Sequence, residues 1–165
     1  MKYTIATDGS FHDDLCWGAA IIRNEDTGDE HMVNAYTDLP FLYEAKNVGG
    51  EILGCLIGIN TLAQIMKEAK DFEPEITILH DYNGIGNWAI GRWKTNKESS
   101  RFYVKGLQYY LKHLPIKSIE FEHVQGHTGD RLNEMADHYC SMDVSKAVSA
   151  AKFIVQLIKE TEKDE

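Results

Sequence analysis

One apolar repeat in mid-chain restricts the fold more than any other feature. Val48, Ile52, Leu56, Ile59, Leu62, Ala63 and Met66 recur at the 3.6-residue period of a long amphipathic helix over residues 48–69, with Glu51 in its first turn. Three strand-like runs precede it. In residues 2–8, Tyr3, Ile5 and Thr7 alternate with Thr4, Ala6 and Asp8, so Asp8 points from one face beside Gly9, which leaves backbone room. Residues 16–22 read as a buried strand, residues 24–29 are dense in turn formers, and residues 30–37 resume a strand. The expectation is an antiparallel meander, with residues 10–14 as a polar loop.

Beyond the helix, residues 76–80 form a strand with Asp81 just past its carboxyl end. Residues 84–90 predict a short helix, and residues 99–114 a longer one that Ser99 or Ser100 caps and Pro115 stops. Residues 119–124 alternate as a fifth strand. A loop over 125–129 leads into a helix that Asp130 can cap, carrying Leu132, Met135, Ala136 and Tyr139. Residues 145–161 predict a last helix. The order βββαβααβα plus one helix defines an α/β domain with a five-stranded mixed sheet.

At 165 residues the chain is expected to be one domain. Its longest apolar stretch, residues 52–66, is broken by Gly, Asn, Thr and Gln and reads as too short to span a bilayer. Nothing ahead of Tyr3 resembles a signal peptide. Cys16, Cys55 and Cys140 are odd in number and scattered, which argues against a disulfide framework and for a reduced, cytoplasmic setting. The formal net charge of −9 is unevenly spread: residues 84–117 hold seven basic groups against Glu98, a local +6 that leaves −15 elsewhere. Such polarity suits an acidic site facing a cation and a separate basic face for a polyanion. A solvated lysine-rich helix surface is the plainer alternative.

Four acids sit at element boundaries: Asp8, Glu51, Asp81 and Asp137. Asp-Gly-Ser after a strand is also ordinary turn chemistry, so Asp8 alone decides nothing. If the first and fourth strands are neighbours, the acids converge. Each like-charged pair about 4 Å apart then costs about 4 kcal/mol at an effective dielectric of about 20. Such a cluster needs cations, and hard oxygen donors with few imidazoles select Mg²⁺, two ions per site, or Mn²⁺ in its place.

The blocks Ala6-Thr7-Asp8-Gly9-Ser10, Asn47-Val48-Gly49-Gly50-Glu51, Leu79-His80-Asp81-Tyr82, and Gly126-His127-Thr128-Gly129-Asp130 with Asn133-Glu134-Met135-Ala136-Asp137 together resemble the ordered motifs of the type 1 ribonuclease H family. The resemblance covers residues 1–143, with residues 144–165 as a helix and charged tail packed on that domain. It implies a ribonuclease H-like fold and an endonuclease that cuts the RNA strand of RNA·DNA hybrids by two-metal-ion catalysis, leaving 3′-OH and 5′-phosphate ends. It implies Asp8, Glu51, Asp81 and Asp137 as metal ligands and His127 as a mobile histidine in water activation or product release. The residues around His127 agree in kind, since a glycine-flanked imidazole can shuttle a proton near neutral pH. Zinc bound by His123, His127, His138 and Cys140 is the alternative, disfavoured because no paired cysteines complete it. Asn133 and Glu134 share the helical face of Asp137 and could orient it.

Substrate reading requires the 2′-OH of one strand. Asn47 matches a family position that hydrogen-bonds in the minor groove, and it could equally cap the long helix. Trp88, Arg92, Trp93 and Lys94 interleave rings and cations, which resembles the family's groove for the DNA strand; one of the two tryptophans is expected in the core. The longer basic handle of some members is missing. Phe11-His12-Asp13-Asp14 replaces the family's glycine-rich loop, with His12 as its candidate RNA contact and two aspartates that repel phosphate unless turned outward. Room beside Gly9 is expected to admit a phosphate backbone. The expected partner is an RNA·DNA hybrid, with no membrane and no obligate protein partner, bound by a monomer. Rival readings are a junction resolvase of the same fold, a silent hybrid-binding module, and an actin-like phosphotransferase, which would need about twice the length.

Overall fold

The alternating first run and the continuously apolar second one both become strands of the meander, and each strand is longer than its apolar core. A computed structural model of the chain describes residues 1–70, 73–125, 130–140 and 147–164. β1 (Lys2–His12), β2 (Leu15–Asn24) and β3 (Glu30–Thr37) pair antiparallel. Residues 10–12, expected in a loop, continue β1, because the whole reversal is made by Asp13 and Asp14. Both adopt positive φ, 53° and 57°, between the paired His12 and Leu15. That two-residue geometry matches the right-handed twist of the strands.

A single turn, α1 (Pro40–Tyr43), with Pro at its start, has no sequence periodicity and was not expected. Lys46, at φ 52°, then redirects the chain into α2 (Asn47–Ala69). Glu51 is therefore the fifth helical residue rather than a member of the first turn. From Gly49 to Ile59 this helix is buried all round rather than along one stripe. One side lies on β1 and β2 and the other is covered by α4 (Glu98–His113). With 23 residues it is long and apolar enough to cross a bilayer, contrary to the reading of residues 52–66. Its position between sheet and helix accounts for that apolarity.

β4 (Glu75–His80) runs parallel to β1, and β5 (Ser118–His123) parallel to β4. Between them lie α3 (Asn83–Ala89) and α4; Ser100 exchanges hydrogen bonds with the Lys97 backbone and so caps α4 from within. After β5 comes α5 (Arg131–Cys140), where Asp130 Oδ1 accepts the Asn133 N–H at 2.9 Å, the cap its position predicts. The expected final helix is instead β6 (Val148–Ser149) followed by α6 (Ala151–Lys163). β6 adds a parallel bridge to the open edge of β3, so the sheet has six strands among the described residues, ordered β5-β4-β1-β2-β3-β6, rather than five. Two residues are too few to show alternation.

Most of the core lies between the sheet and α2, α4 and α6, with Ile154 and Leu157 of α6 buried in it. A smaller cluster of Ala6, Ile21, Leu79 and Ala136 joins the opposite face to α5. Glycines let α2 approach the sheet backbone to backbone. A Cβ on Gly9 would collide with the Glu51 nitrogen, one on Gly18 with that of Gly54, and one on Gly54 would stand 2.5 Å from the Asp8 carbonyl oxygen. The space beside Gly9 is thus filled by this helix, and no phosphate backbone can use it.

Gly54→Ala should therefore cost about 3 kcal/mol, at the upper end of ordinary overpacking. Gly28→Asn, at an open turn with φ 82° that asparagine tolerates, should stay within about 0.5 kcal/mol. Calorimetric melting of the two variants checks both.

Candidate active site

The β1–β4 ladder ends at Ala6↔Leu79. Asp8 lies two residues beyond that pair on β1, and Asp81 follows the last residue of β4. Both carboxylates thus stand just past the carboxyl end of the β1–β4 ladder, where parallel strands part and open sheets form clefts. Asp8 shares its strand face with Ala6 and so faces α5. Glu51 arrives from α2 on the other side, carried in by the glycine contact at Gly9. Ligand oxygens of Asp8, Glu51 and Asp81 all lie within 4.8 Å of one another. Asp137, on α5, meets the Asp8 side chain in a hydrogen bond. The structure brings Asp8, Glu51 and Asp81 together and sets Asp137 against Asp8.

This proximity is electrostatically costly. Asp8 is 4% exposed and Glu51 6%. Burial, then the charge of Asp81 and the contact with Asp137, push the Asp8 carboxyl from 3.8 up to about 7, against the opposing Gly9 N–H, which donates to Asp8 Oδ1 at 2.9 Å. Burial, followed by the charges of Asp8 and Asp81, holds Glu51 well above the usual carboxylate range. Glu51 Oε2 is buried and accepts no hydrogen bond from any described residue. An orphaned oxygen among crowded carboxylates fits a hard divalent cation, which would supply both the missing partner and the missing charge. Among the described residues no other group of metal-ligating side chains converges in this way.

Asp137 is held through its helix. Ser10 Oγ and His12 Nε2 both donate to the Cys140 carbonyl, at 3.0 and 2.9 Å, fastening the end of α5 to β1. His12 stacks on Trp17 with centroids 4.5 Å apart, and Trp17 Nε1 donates to the His12 carbonyl. The ring expected as an RNA contact is therefore engaged within the protein, while Asp13 is turned to solvent. Asn133 is buried with no partner for Oδ1 among the described residues, and Glu134 is exposed. His127 lies outside the described residues. The zinc alternative is deprived of His123, whose Nε2 donates to the Asp81 carbonyl at 2.9 Å.

Beside Asp81 opens a groove of about 510 Å³, lined by Ala45, Tyr82, Trp88, Arg92, Trp93, Lys94 and Ser100 among others. Its outer wall comes from the way α3 stops. Gly91, at φ 79°, places its own N–H on the Trp88 carbonyl and the Arg92 N–H on that of Asn87, a left-handed helix end that only glycine adopts freely. Arg92, Trp93 and Lys94 are thereby thrown outward. Trp93 is 41% exposed, whereas Trp88 packs between Tyr82 and the core residue Tyr103, so one tryptophan does belong largely to the core. Asn47 is exposed as the first residue of α2, and Lys46 occupies the cap position instead. Tyr82 had no assigned role in the sequence; an aromatic next to a strand-end carboxylate is the signal that could have found it.

An acid whose folded pKa is raised is protonated in both states below about pH 4 and contributes nothing there. Between about pH 4 and 7 the unfolded chain ionises first, so stability falls as pH rises, and the full cost is present above 7. In chelator, Asp8→Asn should melt higher than the unmodified protein by a margin that widens from pH 5 to pH 8. Calorimetry at the two pH values checks it, and a constant margin would contradict the assignment.

The family model described as RNase H matches residues 1–145. A ribonuclease H of Caldicellulosiruptor saccharolyticus is 36% identical over 55 residues, which is 33% of this chain and 38% of that protein, so the match spans well under half of the relative's length. The RNase H1 structure from Halobacterium salinarum superposes with a TM-score of 0.65 at 16% identity, covering 84% of this chain and 94% of the other. LC11-RNase H1 in complex with an RNA/DNA hybrid gives 0.65 at 15% identity, covering 82% and 94%. At such identities the superpositions establish the shared fold alone. The family match runs through β1, α2, β4 and α5, the elements that carry the four acids, and the chain belongs to the RNase H family.

Proposed function

We propose that this protein is a divalent-metal-dependent endoribonuclease that hydrolyses the RNA strand of RNA·DNA hybrids, leaving 3′-OH and 5′-phosphate ends. The observation that carries the reading is the convergence of Asp8, Glu51 and Asp81 within 4.8 Å around an unpartnered buried Glu51 oxygen. Asp8, Glu51, Asp81 and Asp137 would hold two Mg²⁺ ions, or Mn²⁺. Bound there, the ions supply charge neutralisation at a scissile phosphate and a more acidic water. The carboxylates keep the oxygen donors fixed before substrate arrives, so little reorganisation remains for the reaction step. His127 takes the role of proton shuttle near neutral pH.

Substrate binding is assigned to the groove beside Asp81. Trp93 offers an exposed ring face for a sugar or base, Trp88 backs it from the core, and Arg92 and Lys94 meet phosphates of the DNA strand. Asn47, exposed at the start of α2, reads the ribose 2′-OH with an amide that both donates and accepts. The RNA/DNA hybrid carried by LC11-RNase H1 supports this choice of substrate.

A labelled RNA·DNA hybrid should be cut only with Mg²⁺ or Mn²⁺, and Asp8→Asn and Asp81→Asn should each abolish cutting. Duplex RNA, duplex DNA and a four-way junction complete the panel; equal cutting of any of these would overturn the substrate assignment. Lys94→Ala should weaken hybrid binding and lower the slope of log affinity against log salt by about 1, the change that follows from removing a single phosphate-neutralising cation. Fluorescence anisotropy across a salt series, in Ca²⁺ to prevent cutting, measures it.

A further inference from the structure

Asp81 differs from its partners in how it is held. Asp8 belongs to a paired strand and Glu51 to a buried helix, but Asp81 stands after the last rung of the β4–β5 ladder, His80↔His123, where no sheet bond fixes the backbone. The two histidines of that final rung supply the missing bonds. His80 Nδ1 lies 3.0 Å from the Tyr82 carbonyl oxygen, and His123 Nε2 lies 2.9 Å from that of Asp81. A carbonyl only accepts, so both ring nitrogens carry hydrogen. The rings are 5.9 Å apart, and His80 is nearly fully buried against Gly86, where a Cβ would approach its Nε2 to 2.9 Å. From the other side, the Ile85 N–H donates to Tyr82 and the Val124 N–H to the His80 carbonyl. Consecutive carbonyls at 81 and 82 are thus fixed by side chains from two strands.

We propose that His80 and His123 are a pair of positioning residues that set the direction of the Asp81 carboxylate and, through it, the affinity of the acidic cluster for a divalent cation. The inference rests on the metal reading above, and both rings act through backbone carbonyls. Directing a ligand's backbone has the same effect as orienting a ligand's side chain: it removes the orientations in which the donor oxygen misses the ion. His123 is the exposed member of the pair, so its replacement leaves the core intact.

The test uses the full chain and Mn²⁺, with binding followed by titration calorimetry and hybrid cleavage by initial rates. His123→Phe keeps a ring and removes the donor, whereas His123→Gln restores an N–H. His123→Phe should weaken Mn²⁺ binding about tenfold, the lower end of what outer partners of a metal site contribute. Hybrid KM at saturating metal should be unchanged, and His123→Gln should recover most of the affinity. Unchanged Mn²⁺ affinity in His123→Phe, or a glutamine variant as weak as the phenylalanine one, would overturn the positioning role while leaving the metal reading intact. Absence of Mn²⁺ binding by the unmodified protein would overturn the metal reading itself and this inference with it.

Discussion

The close approach of α2 to the sheet is the constraint on which the rest depends. With Gly9 and Gly18 on the strands and Gly50 and Gly54 on the helix, backbone packs on backbone where side chains would ordinarily intervene. Two consequences follow from this packing. The helix is deep enough to be buried on all sides between the sheet and α4, which makes it the centre of the core. The same depth brings Glu51 through to Asp8 at the end of the ladder. A helix seated further out by the width of one side chain would keep its apolar packing and forfeit the carboxylate cluster.

That cluster stores unfavourable energy in a fold that must absorb it. Asp8 and Glu51 are both disfavoured as anions, by burial first and by their neighbours second. The framework around them is correspondingly overdetermined. Asp8 sits in a strand paired on both flanks before the split, α5 is capped by Asp130 at one end and fastened by Ser10 and His12 at the other, and Glu51 rides on the most buried helix of the chain. Preorganisation of this kind trades stability for carboxylates held in fixed positions.

Much of this was legible in the sequence, and the reasons differ by element. Alternation disclosed β1 and β5, a continuous apolar run disclosed β2, the 3.6-residue period disclosed α2, and four acids at element boundaries pointed to the centre, because each is a pattern visible within a short stretch. α1 and β6 left no trace, being one turn and two residues long. Continuation of β1 through residues 10–12 was hidden by polar residues that read as a loop. Gly9 was legible as a demand for space, but which neighbour fills the space is a tertiary fact. His80 and His123 are distant in sequence and become partners only through the β4–β5 register.

The segment after Asp8 shows how a departure from the family pattern can be absorbed. His12, placed where an RNA contact was expected, gives its ring face to Trp17 and its Nε2 to the end of α5. Asp13 and Asp14 make the tight turn, and Lys46 lies over the Phe11 ring at 4.8 Å, its charge held on this rim. The segment therefore contributes to the placement of α5, which carries Asp137. Elsewhere at the site, the glycine-terminated α3 projects Arg92, Trp93 and Lys94 along the groove that Tyr82 lines. Arg92, Lys94 and Lys97 line that groove, a local basic edge on a chain of net charge −9.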